Sequence, residues 1–407
     1  MRYSQLHFSS VRDFRADSVN ATLLTRAGYI SQSAAGVYSF LPLGCRVIEK
    51  IKAIVRSAMN QLPATELLLP TLQPKTLWQK TGKWDDPEIK QILYRLDDTG
   101  QLLAPSHEEP ISDLVCQIVS SYRDLPIGLY QFQTKFRHEP RAKSGLLRTR
   151  EFLMKDLYSF HADQADLDRY YEAVADSYQL IFKQVSLEAV RVKASGGMFS
   201  GELSDEFQVV CPEGEDEILY HPGHPGAKYG YNLEVEDQIP AKEKAGLERS
   251  RAIEVGNIFK LGDHYARTFG LAYSDPNGLR QPVVMGCYGL GISRLLGAVA
   301  EISHDQAGLI LPSSIAPFDV YLIDLTDSEA GGRLEKQLSQ ANLEVLLDDR
   351  EESAGAKLVE SDLLGLPWRV LNSSKTAEQG QVEVKNRRTG QVKLLAPQEL
   401  VSYLTRS

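Results

Sequence analysis

Cysteine is scarce in this chain, and the spacing of the few cysteines excludes two kinds of structure. The 407 residues contain four cysteines, Cys45, Cys116, Cys211 and Cys287, which lie far apart in the sequence. They form no C-x-x-C pair, so the spacing typical of a zinc site is missing. Disulfide frameworks are typical of short secreted chains with many cysteines. We therefore expect four reduced thiols and no structural zinc.

Long apolar runs and an excess of positive charge are also missing. No stretch approaches the roughly 20 apolar residues that span a bilayer, so we expect no membrane segment. The N-terminal sequence lacks the apolar core of a secretory signal and carries Asp13 and Asp17, which transit peptides avoid, so we expect a cytoplasmic protein. The formal net charge of −9 argues against a protein that coats nucleic acid indiscriminately, because such binding depends on neutralising phosphates.

The chain is longer than one ordinary domain, and its pattern changes near residue 312. Residues 1–312 mix helical and strand patterns without regular alternation, which favours an α+β domain with an antiparallel sheet. Residues 313–407 alternate strand and helix, which indicates an α/β domain. Within the first domain, residues 211–250 are rich in glycine, proline and charge, so we expect a short surface insertion there.

The stretch from Phe136 to Asp156 is the most informative part of the sequence. It begins FRHE, passes through a polar turn and returns as RTREFLMKD. Because side chains alternate between the two faces of a strand, an antiparallel hairpin here would gather cations, a carboxylate and an aromatic ring on one surface. The residues concerned are Arg137, Glu139, Arg148, Arg150, Phe152 and Asp156. Guanidinium groups suit phosphate oxygens and a flat ring suits a base, so the hairpin predicts a nucleotide site, although a solvated charged hairpin would explain the charges alone.

Residues 283–297, VVMGCYGLGISRLLG, form a second informative stretch. They read as an apolar strand, a glycine-rich turn and a helix whose first turn carries Arg294 among apolar neighbours. Burying an arginine is costly unless an anion accompanies it, and glycines let a ligand approach the backbone closely. The glycines do not form a dinucleotide fingerprint, because Arg294 stands where the third glycine or alanine belongs.

The two stretches resemble motifs 2 and 3 of the class II aminoacyl-tRNA synthetases. ELLLPTLQP, near residues 66–74, resembles motif 1, whose proline, here Pro70, lies at the dimer interface in that family. Further segments are similar to bacterial-type prolyl-tRNA synthetases, namely APSHEE, SDEFQVV, IEVGNIFKLG and DDREESAGAKLVESDLLGLP. The resemblance implies a class II catalytic domain with an antiparallel sheet, a C-terminal α/β anticodon-binding domain, and a homodimer.

The activity that the resemblance implies is ATP-dependent activation of L-proline and its transfer to tRNA(Pro). By that resemblance Arg137 holds the α-phosphate and the proline carboxylate, while Arg148 and Arg294 clamp the outer phosphates. Glu139 would meet the adenine amine and Phe152 would stack on adenine. Arg137 and Arg294 are therefore the expected catalytic residues. No general base is needed, because a carboxylate with a pKa of about 3.5 is already ionised at neutral pH.

The same resemblance implies a proline pocket. Ser106 and Glu108 fall on the Thr-x-Glu loop that binds proline in the family, and Phe259 and Cys287 fall on positions of the pocket wall. Arg137 completes the expected proline site. A buried Glu108 suits proline chemically, because a carboxylate pairs with a secondary ammonium by a charge-assisted hydrogen bond.

Four more positions carry weaker implications. Glu254 and Asn257 fall on a segment beside ATP, and Glu254 is the expected contact of Mg²⁺, the implied cofactor. Arg350 and Lys357 fall on positions expected to contact the tRNA anticodon, although a solvated face would explain their charges equally well. Ser106 stands where threonine is usual and Asn257 where histidine is usual, and neither change removes a charge.

The chain departs from full-length bacterial relatives between motifs 2 and 3. Those relatives carry a large editing domain there, whereas this chain has only residues 211–250. A pocket shaped for proline rejects the smaller alanine by only about 1–3 kcal/mol. We therefore predict charging without editing in cis, which leaves room for a separate trans-editing protein. Two alternatives remain, a class II synthetase for another amino acid and a non-catalytic synthetase-like paralogue that binds tRNA.

Overall fold

A computed structural model describes residues 1–8, 10–11, 13–197, 201–222, 230–326 and 329–406. The chain divides into two compact units. The first comprises Met1–Ser33, Tyr38–Ile51 and Val299–Ser407, and the second comprises Ala34–Val37 and Lys52–Ala298. These two units reflect contacts in space and do not test where one family domain ends and the next begins. The expected boundary at residue 312 stays a prediction.

The helices and strands are numbered in chain order. The helices are α1 (Val19–Arg26), α2 (Pro42–Gln61), α3 (Lys75–Lys80), α4 (Pro87–Ile92), α5 (Glu108–Val115), α6 (Gln164–Gln184), α7 (His264–Phe269), α8 (Ile292–Ile302), α9 (Ala330–Gln340), α10 (Ala354–Leu364), α11 (Ser374–Ala377) and α12 (Pro397–Arg406). The strands are β1 (Ile30–Ala34), β2 (Val37–Phe40), β3 (Thr65–Glu66), β4 (Leu72–Pro74), β5 (Tyr94–Leu96), β6 (Gln101–Leu103), β7 (Ile127–Phe136), β8 (Glu151–His161), β9 (Ala189–Ala194), β10 (Ser204–Val210), β11 (Asp216–Tyr220), β12 (Gly230–Asn232), β13 (Glu248–Gly262), β14 (Ala272–Ser274), β15 (Arg280–Pro282), β16 (Val284–Gly291), β17 (Val320–Asp324), β18 (Val345–Asp348), β19 (Trp368–Asn372), β20 (Val382–Asn386) and β21 (Val392–Leu395).

The second unit is built on a nine-stranded sheet with the order β10-β9-β12-β11-β13-β16-β8-β7-β3. Its centre is antiparallel, since β7 pairs with β8, β8 with β16 and β16 with β13 in that sense. Two short pairings, β12 with β9 and β3 with β7, are parallel. The α+β architecture with an antiparallel core that the sequence predicts is therefore confirmed.

An additional pairing between β10 and β13 closes five strands of this sheet into a ring. The 15-residue strand β13 makes this possible, because its first part pairs with β11 and its later part with β10. The order around the ring is β13-β10-β9-β12-β11. Both β11 and β12 belong to the segment 211–250, of which residues 223–229 lie outside the described residues. The expected insertion thus contributes strands to the sheet instead of lying wholly on its surface.

Residues of three neighbouring strands line up across the centre of the sheet. One row consists of Asp156, Gly289 and Asn257, and the next row consists of Tyr158, Cys287 and Phe259. Because alternate residues of a strand share a face, both rows lie on the same face of the sheet. An apolar core that includes Ile111, Phe160, Tyr265 and Met285 supports this unit.

The first unit contains a five-stranded sheet with the order β18-β17-β19-β20-β21. β17 pairs in parallel with β18 and with β19, whereas β20 and β21 are antiparallel. Helices α9 and α10 connect the parallel strands, as the alternating pattern predicts. Val320, Leu338, Val370 and Leu400 belong to its core. Throughout the described parts of both units, no helix combines the length and the apolar character needed to cross a membrane.

Candidate active site

A cavity of about 230 Å³ opens over the two rows of the nine-stranded sheet. Every residue predicted to bind ATP or proline lines it, namely Ser106, Glu108, Arg137, Glu139, Arg148, Phe152, Glu254, Asn257, Phe259, Cys287 and Arg294. They lie on strands β8, β13 and β16, at and just before the start of α5, in the first turn of α8 and in the loop between β7 and β8. The fold therefore brings the predicted residues together, and the role of each stays a prediction.

The hairpin predicted from FRHE and RTREF forms, and it extends slightly beyond its strands. β7 ends at Phe136, yet the backbone N–H of Arg137 still donates to the carbonyl of Arg150 at 2.9 Å. The N–H of Glu139 then donates to the carbonyl of Arg137 at 2.8 Å, which turns the chain. Arg150 is not among the residues that line the cavity. Its Nε donates to the carbonyl oxygen of Glu139 at 3.0 Å, and its backbone N–H donates to the carbonyl oxygen of Gly36 at 2.8 Å.

Arginines and an aromatic ring lie together in the part of the cavity that is expected to bind ATP. The guanidinium carbon of Arg137 lies 5.3 Å from the centre of the Phe152 ring. Burial, and after it the like charge of Arg294, lower the pKa of Arg137, so an anion bound here would relieve an unfavourable arrangement. Nε of Arg148 donates to Oε2 of Glu139 at 2.8 Å. Two of the groups expected to bind ATP thus bind each other in the structure.

Arg294 lies at the point where the glycine-rich strand β16 becomes the helix α8. The strand continues through the glycines to Gly291, and the helix begins at the next residue, so no separate turn intervenes. Nη1 of Arg294 donates to the backbone carbonyl oxygen of Glu254 at 3.0 Å and to its Oε2 at 2.9 Å. The anionic partner that the sequence requires for this arginine is therefore Glu254 of β13.

The carboxylate of Glu108 is almost fully buried, with 1% of its surface exposed. The thiol of Cys287 donates to its Oε1 at 3.0 Å. Its Oε2 is buried and has no hydrogen-bond partner among the described residues. Burial, and next the charge of Glu108, hold the pKa of the Cys287 thiol well above its ordinary value, so the thiol stays protonated and acts as a donor. An unpartnered buried carboxylate oxygen is costly, and it suits a cationic ligand.

A layer of buried charges lies directly beneath the Ser106–Glu108 segment. Nζ of Lys135 lies 2.8 Å from Oδ1 of Asp156 and 2.5 Å from Nδ1 of His107. Burial, and next the charge of Lys135, lower the pKa of His107 to about 4, so its ring is neutral at pH 7. Nε2 of His107 therefore carries the proton and donates to the carbonyl of Pro70 at 3.1 Å. These contacts fix the backbone that carries Glu108.

Glu206 of β10 is the main residue of the cavity that sequence reasoning missed. Its Oε2 accepts from Gln208 at 2.9 Å and from Asn232 at 3.1 Å, and its Oε1 accepts from Asn257 at 3.2 Å. Burial, and next the charge of Glu254, raise the pKa of Glu206 to about 8. The sequence signal for Glu206 was its place in SDEFQVV, a segment to which the resemblance gave no role. Lys135 also lines the cavity and had no separate signal.

The two predicted anticodon residues lie in the first unit, at a depression of about 750 Å³. Arg350 forms a two-point ion pair with Asp348, at 2.9 and 2.8 Å, and its guanidinium carbon lies 3.7 Å from the centre of the Tyr3 ring. Lys357 is buried, and its Nζ donates to the backbone carbonyl of Asp348 at 3.1 Å. Both cations thus have structural partners, and Arg2, which the sequence did not single out, lines the same depression.

An antiparallel sheet that unites a motif 2 hairpin with a motif 3 strand and helix around one cavity defines the core of a class II aminoacyl-tRNA synthetase. Comparison with known families agrees. Residues 94–303 match the family "tRNA synthetase class II core domain (G, H, P, S and T)", and residues 319–407 match the family "Anticodon binding domain".

Curated proteins narrow the class to one member. The proline--tRNA ligase of Anaplasma phagocytophilum is 38% identical over 427 residues, which cover 100% of each chain. The proline--tRNA ligase of a Zymomonas mobilis strain is 39% identical over 438 residues, covering 100% of this chain and 99% of the relative. The chain belongs to the proline--tRNA ligase family, and it is an aminoacyl-tRNA ligase.

A solved structure shows the same fold at low identity. The crystal structure of a prolyl-tRNA synthetase from Cryptosporidium parvum, complexed with L-proline and AMP, superposes with a TM-score of 0.77. It is 17% identical, and the match covers 95% of this chain and 74% of that chain.

Proposed function

We propose that this chain activates L-proline with ATP and transfers the prolyl group to tRNA(Pro). The observation that carries the proposal is a single cavity that brings the buried carboxylate of Glu108 together with Arg137, Arg148 and Arg294. The names of the relatives, which share 38–39% of their residues with this chain, support proline as the amino acid.

Glu108 selects the amino acid by charge and hydrogen bonding. The secondary ammonium of proline donates to Oε2 of Glu108, which has no partner among the described residues, while Cys287 occupies Oε1. Phe259 and Cys287, on neighbouring strands in register with Tyr158, form the wall against which the ring packs. A bond of this charge-assisted kind contributes about 1.5–3 kcal/mol.

Arg137 serves the chemical step. A carboxylate oxygen of proline attacks the α-phosphorus of ATP, the new P–O bond forms, and the bond to the bridging oxygen breaks so that pyrophosphate leaves with its electron pair. Arg137 stabilises the charge that builds on the phosphate oxygens, and Phe152 holds adenine by stacking. A hydroxyl of the terminal ribose of tRNA then attacks the carbonyl carbon, which releases AMP and a proton.

The acidic side of the cavity fits Mg²⁺. No cluster of three or more His, Cys, Asp or Glu side chains suited to a metal occurs among the described residues. The cavity instead offers Glu254 and Glu206, and the buried Oδ1 of Asn257 has no hydrogen-bond partner in the described structure. Mg²⁺ is usually held by one or two carboxylates together with substrate phosphates and water. We expect Glu254 to hold it, and Glu206, whose pKa of about 8 keeps it largely protonated, would join only by releasing its proton. When bound, Mg²⁺ neutralises phosphate charge.

The partners follow from the two matched families and the motif 1 resemblance. The match to an anticodon-binding domain over residues 319–407 supports tRNA as the second substrate. We also propose a homodimer formed through residues 66–74. Within this segment Leu68 is 71% exposed and Leu72 is 43% exposed, which leaves apolar surface for a second copy to cover.

We further propose that the enzyme does not edit in cis. The segment 211–250 is the only addition between motifs 2 and 3, and the described part of it consists of strands that complete a sheet plus short turns. A separate trans-editing protein would then clear mischarged tRNA.

Proline-dependent ATP–pyrophosphate exchange tests the proposal, with Arg137→Ala as the decisive variant. Removing one preorganised donor of this kind costs about 3–4 kcal/mol, so the rate should fall by two to three orders of magnitude. The matched control is Arg169→Ala, which removes an arginine on α6 that pairs with Asp166 and should leave the rate unchanged. More than a tenth of the wild-type rate in Arg137→Ala, or no proline dependence in the wild type, would refute the proposal.

A further inference from the structure

The short segment 211–250 is tied to the motif 2 loop by a single acidic residue, Glu215. This residue stands immediately before β11, in the turn that follows Cys211. It lies outside the cavity lining but contacts Arg148, which lines the cavity. None of the roles derived above uses it.

The turn that carries Glu215 is pressed firmly against β13. The N–H of Cys211 donates to the carbonyl of Arg251 at 3.0 Å, and the N–H of Gly214 donates to the carbonyl of Cys211 at 2.9 Å. A Cβ atom at Gly214 would lie 2.2 Å from the carbonyl oxygen of Ala252, so only glycine allows this approach. Since β11 begins directly afterwards with Asp216 opposite Ala252, the backbone of Glu215 is held from both sides.

Glu215 reaches two points of the motif 2 loop. Its Oε2 accepts a hydrogen bond from Nη1 of Arg148 at 3.4 Å, and its Oε1 accepts one from the hydroxyl of Ser144 at 3.3 Å. Arg148 donates its Nε to Glu139 at 2.8 Å in the same arrangement. One guanidinium is therefore shared between two carboxylates, and about 40% of its side chain remains exposed to solvent.

The triphosphate of ATP offers Arg148 negatively charged oxygen acceptors, as the carboxylate of Glu215 does. A guanidinium pairs with carboxylate or phosphate oxygens by the same fork of donors, so the two anions compete for it. By the resemblance, Glu139 accepts a hydrogen bond from the adenine amine. The hydrogen bond from Arg148 to Glu139 would then also open when ATP binds. A carboxylate on a rigid turn beside the outer phosphates would then repel them.

We propose that Glu215 is a positioning residue that holds Arg148 through its Nη1 and competes for it with the outer phosphates of ATP, so that the segment 211–250 lowers the affinity for ATP. This inference rests on the proposed function of the same cavity. The segment 211–250 would then influence nucleotide binding, because strands β11 and β12 hold the carboxylate of Glu215 in place.

The test is Glu215→Gln in proline-dependent pyrophosphate exchange. Glutamine keeps the size and an acceptor oxygen for Ser144 but removes the competing charge, and exposed ion pairs of this kind contribute about 0.2–1 kcal/mol. We expect the KM for ATP to fall roughly two- to fivefold while the KM for proline stays unchanged. A residue that merely supports the loop would instead raise the KM for ATP. The matched control is Glu217→Gln on β11, which removes the same charge and breaks the exposed pair with Arg249 of β13.

Two further measurements separate ATP binding from turnover and test whether the effect depends on Arg148. Thermal stabilisation by ATP, measured without proline, should increase in Glu215→Gln even if turnover changes. In an Arg148→Gln background the Glu215→Gln change should improve ATP binding less than it does in the wild type, because the contested cation is gone and only the repulsion between the carboxylate and the phosphates remains. An unchanged or raised KM for ATP in the single variant overturns the inference, and it does so without touching the proposed function as long as the wild type shows proline-dependent exchange.

Discussion

The thiol of Cys287 donates to one oxygen of Glu108 at 3.0 Å, while the second oxygen of that carboxylate is buried without a partner among the described residues. In the proposed function this pair recognises proline, because the thiol fixes the orientation of the carboxylate and leaves one oxygen for the ammonium of the substrate. Cys287 thus acts through its hydrogen, and its raised pKa keeps that hydrogen in place.

Glu108→Gln should therefore impair the use of proline specifically. The loss of a charge-assisted bond worth about 1.5–3 kcal/mol predicts a fall of about 10- to 150-fold in kcat/KM for proline. The KM for ATP should not change. Cys287→Ala is the comparison, since it keeps the carboxylate charge and should lose less. An equal loss in both variants, or a change confined to ATP, would contradict the role given to Glu108.

Alanine should be charged onto tRNA(Pro) and should remain there. The pocket wall of Phe259 and Cys287 excludes larger side chains, but a smaller one loses only about 1–3 kcal/mol of contact. Steady-state charging with alanine should be measurable, and purified enzyme should not accelerate hydrolysis of Ala-tRNA(Pro). Deacylation by the enzyme alone would show that it edits in cis.

Arg2→Gln should weaken the interaction with tRNA and leave amino-acid activation intact. Arg2 is exposed, forms a parallel backbone bridge with Leu347 of β18 and lines the same depression as Arg350. If Arg2 contacts one phosphate, the slope of log affinity against log salt should fall by about 0.7–0.9. Filter binding over a salt series measures it. Lys393→Gln, on β21 at the opposite edge of the sheet, removes the same charge and should not alter the slope.

Asp305→Asn should reduce stability at neutral pH and not at acidic pH. Arg387 forms two hydrogen bonds of 2.7 Å with Asp305, and this pairing lowers the pKa of the carboxyl to about 2. Because the folded pKa lies below that of the unfolded chain, the stabilisation is present above about pH 4 and is lost as the pH falls towards 2. Arg387 is buried but Asp305 is 47% exposed, so solvent screening limits the pair to about 1 kcal/mol, and urea unfolding should show a difference of that size at pH 7. A difference that persists at pH 2 would exclude the ion pair as its cause.

The centre of the active site could be predicted from sequence because its signals are local. Alternation along FRHE and RTREF predicts a hairpin with Arg137 and Phe152 on one surface, and the glycines before Arg294 predict a strand that gives way to a helix. Each of these patterns spans about twenty residues or fewer, and the sheet then aligns them by ordinary antiparallel pairing. Arg150 does not join the cavity, and strand alternation does not reveal this, because its side chain is held by the backbone carbonyl of Glu139.

The remaining parts of the site depend on contacts between distant segments. Glu206 enters the cavity because β10 pairs with β13, about fifty residues away, and its pKa rises only through Glu254 on that strand. The composition of residues 211–250 predicts a surface loop, since charged residues are usually solvated. In the structure Asp216 and Asn232 of this segment instead bind Gln208 and Glu206, which composition alone does not reveal.

Closing five strands into a ring also bears on aggregation through strand edges. The strands are β13, β10, β9, β12 and β11. A strand at the edge of a sheet is a template for another chain, and closing strands on themselves removes such edges. With five strands closed, the described part of the nine-stranded sheet ends only at β3, which is two residues long and adjoins the motif 1 segment. Within this sheet, strand-by-strand aggregation therefore has little edge to start from, and the free edge at β3 adjoins the segment where a second copy is expected.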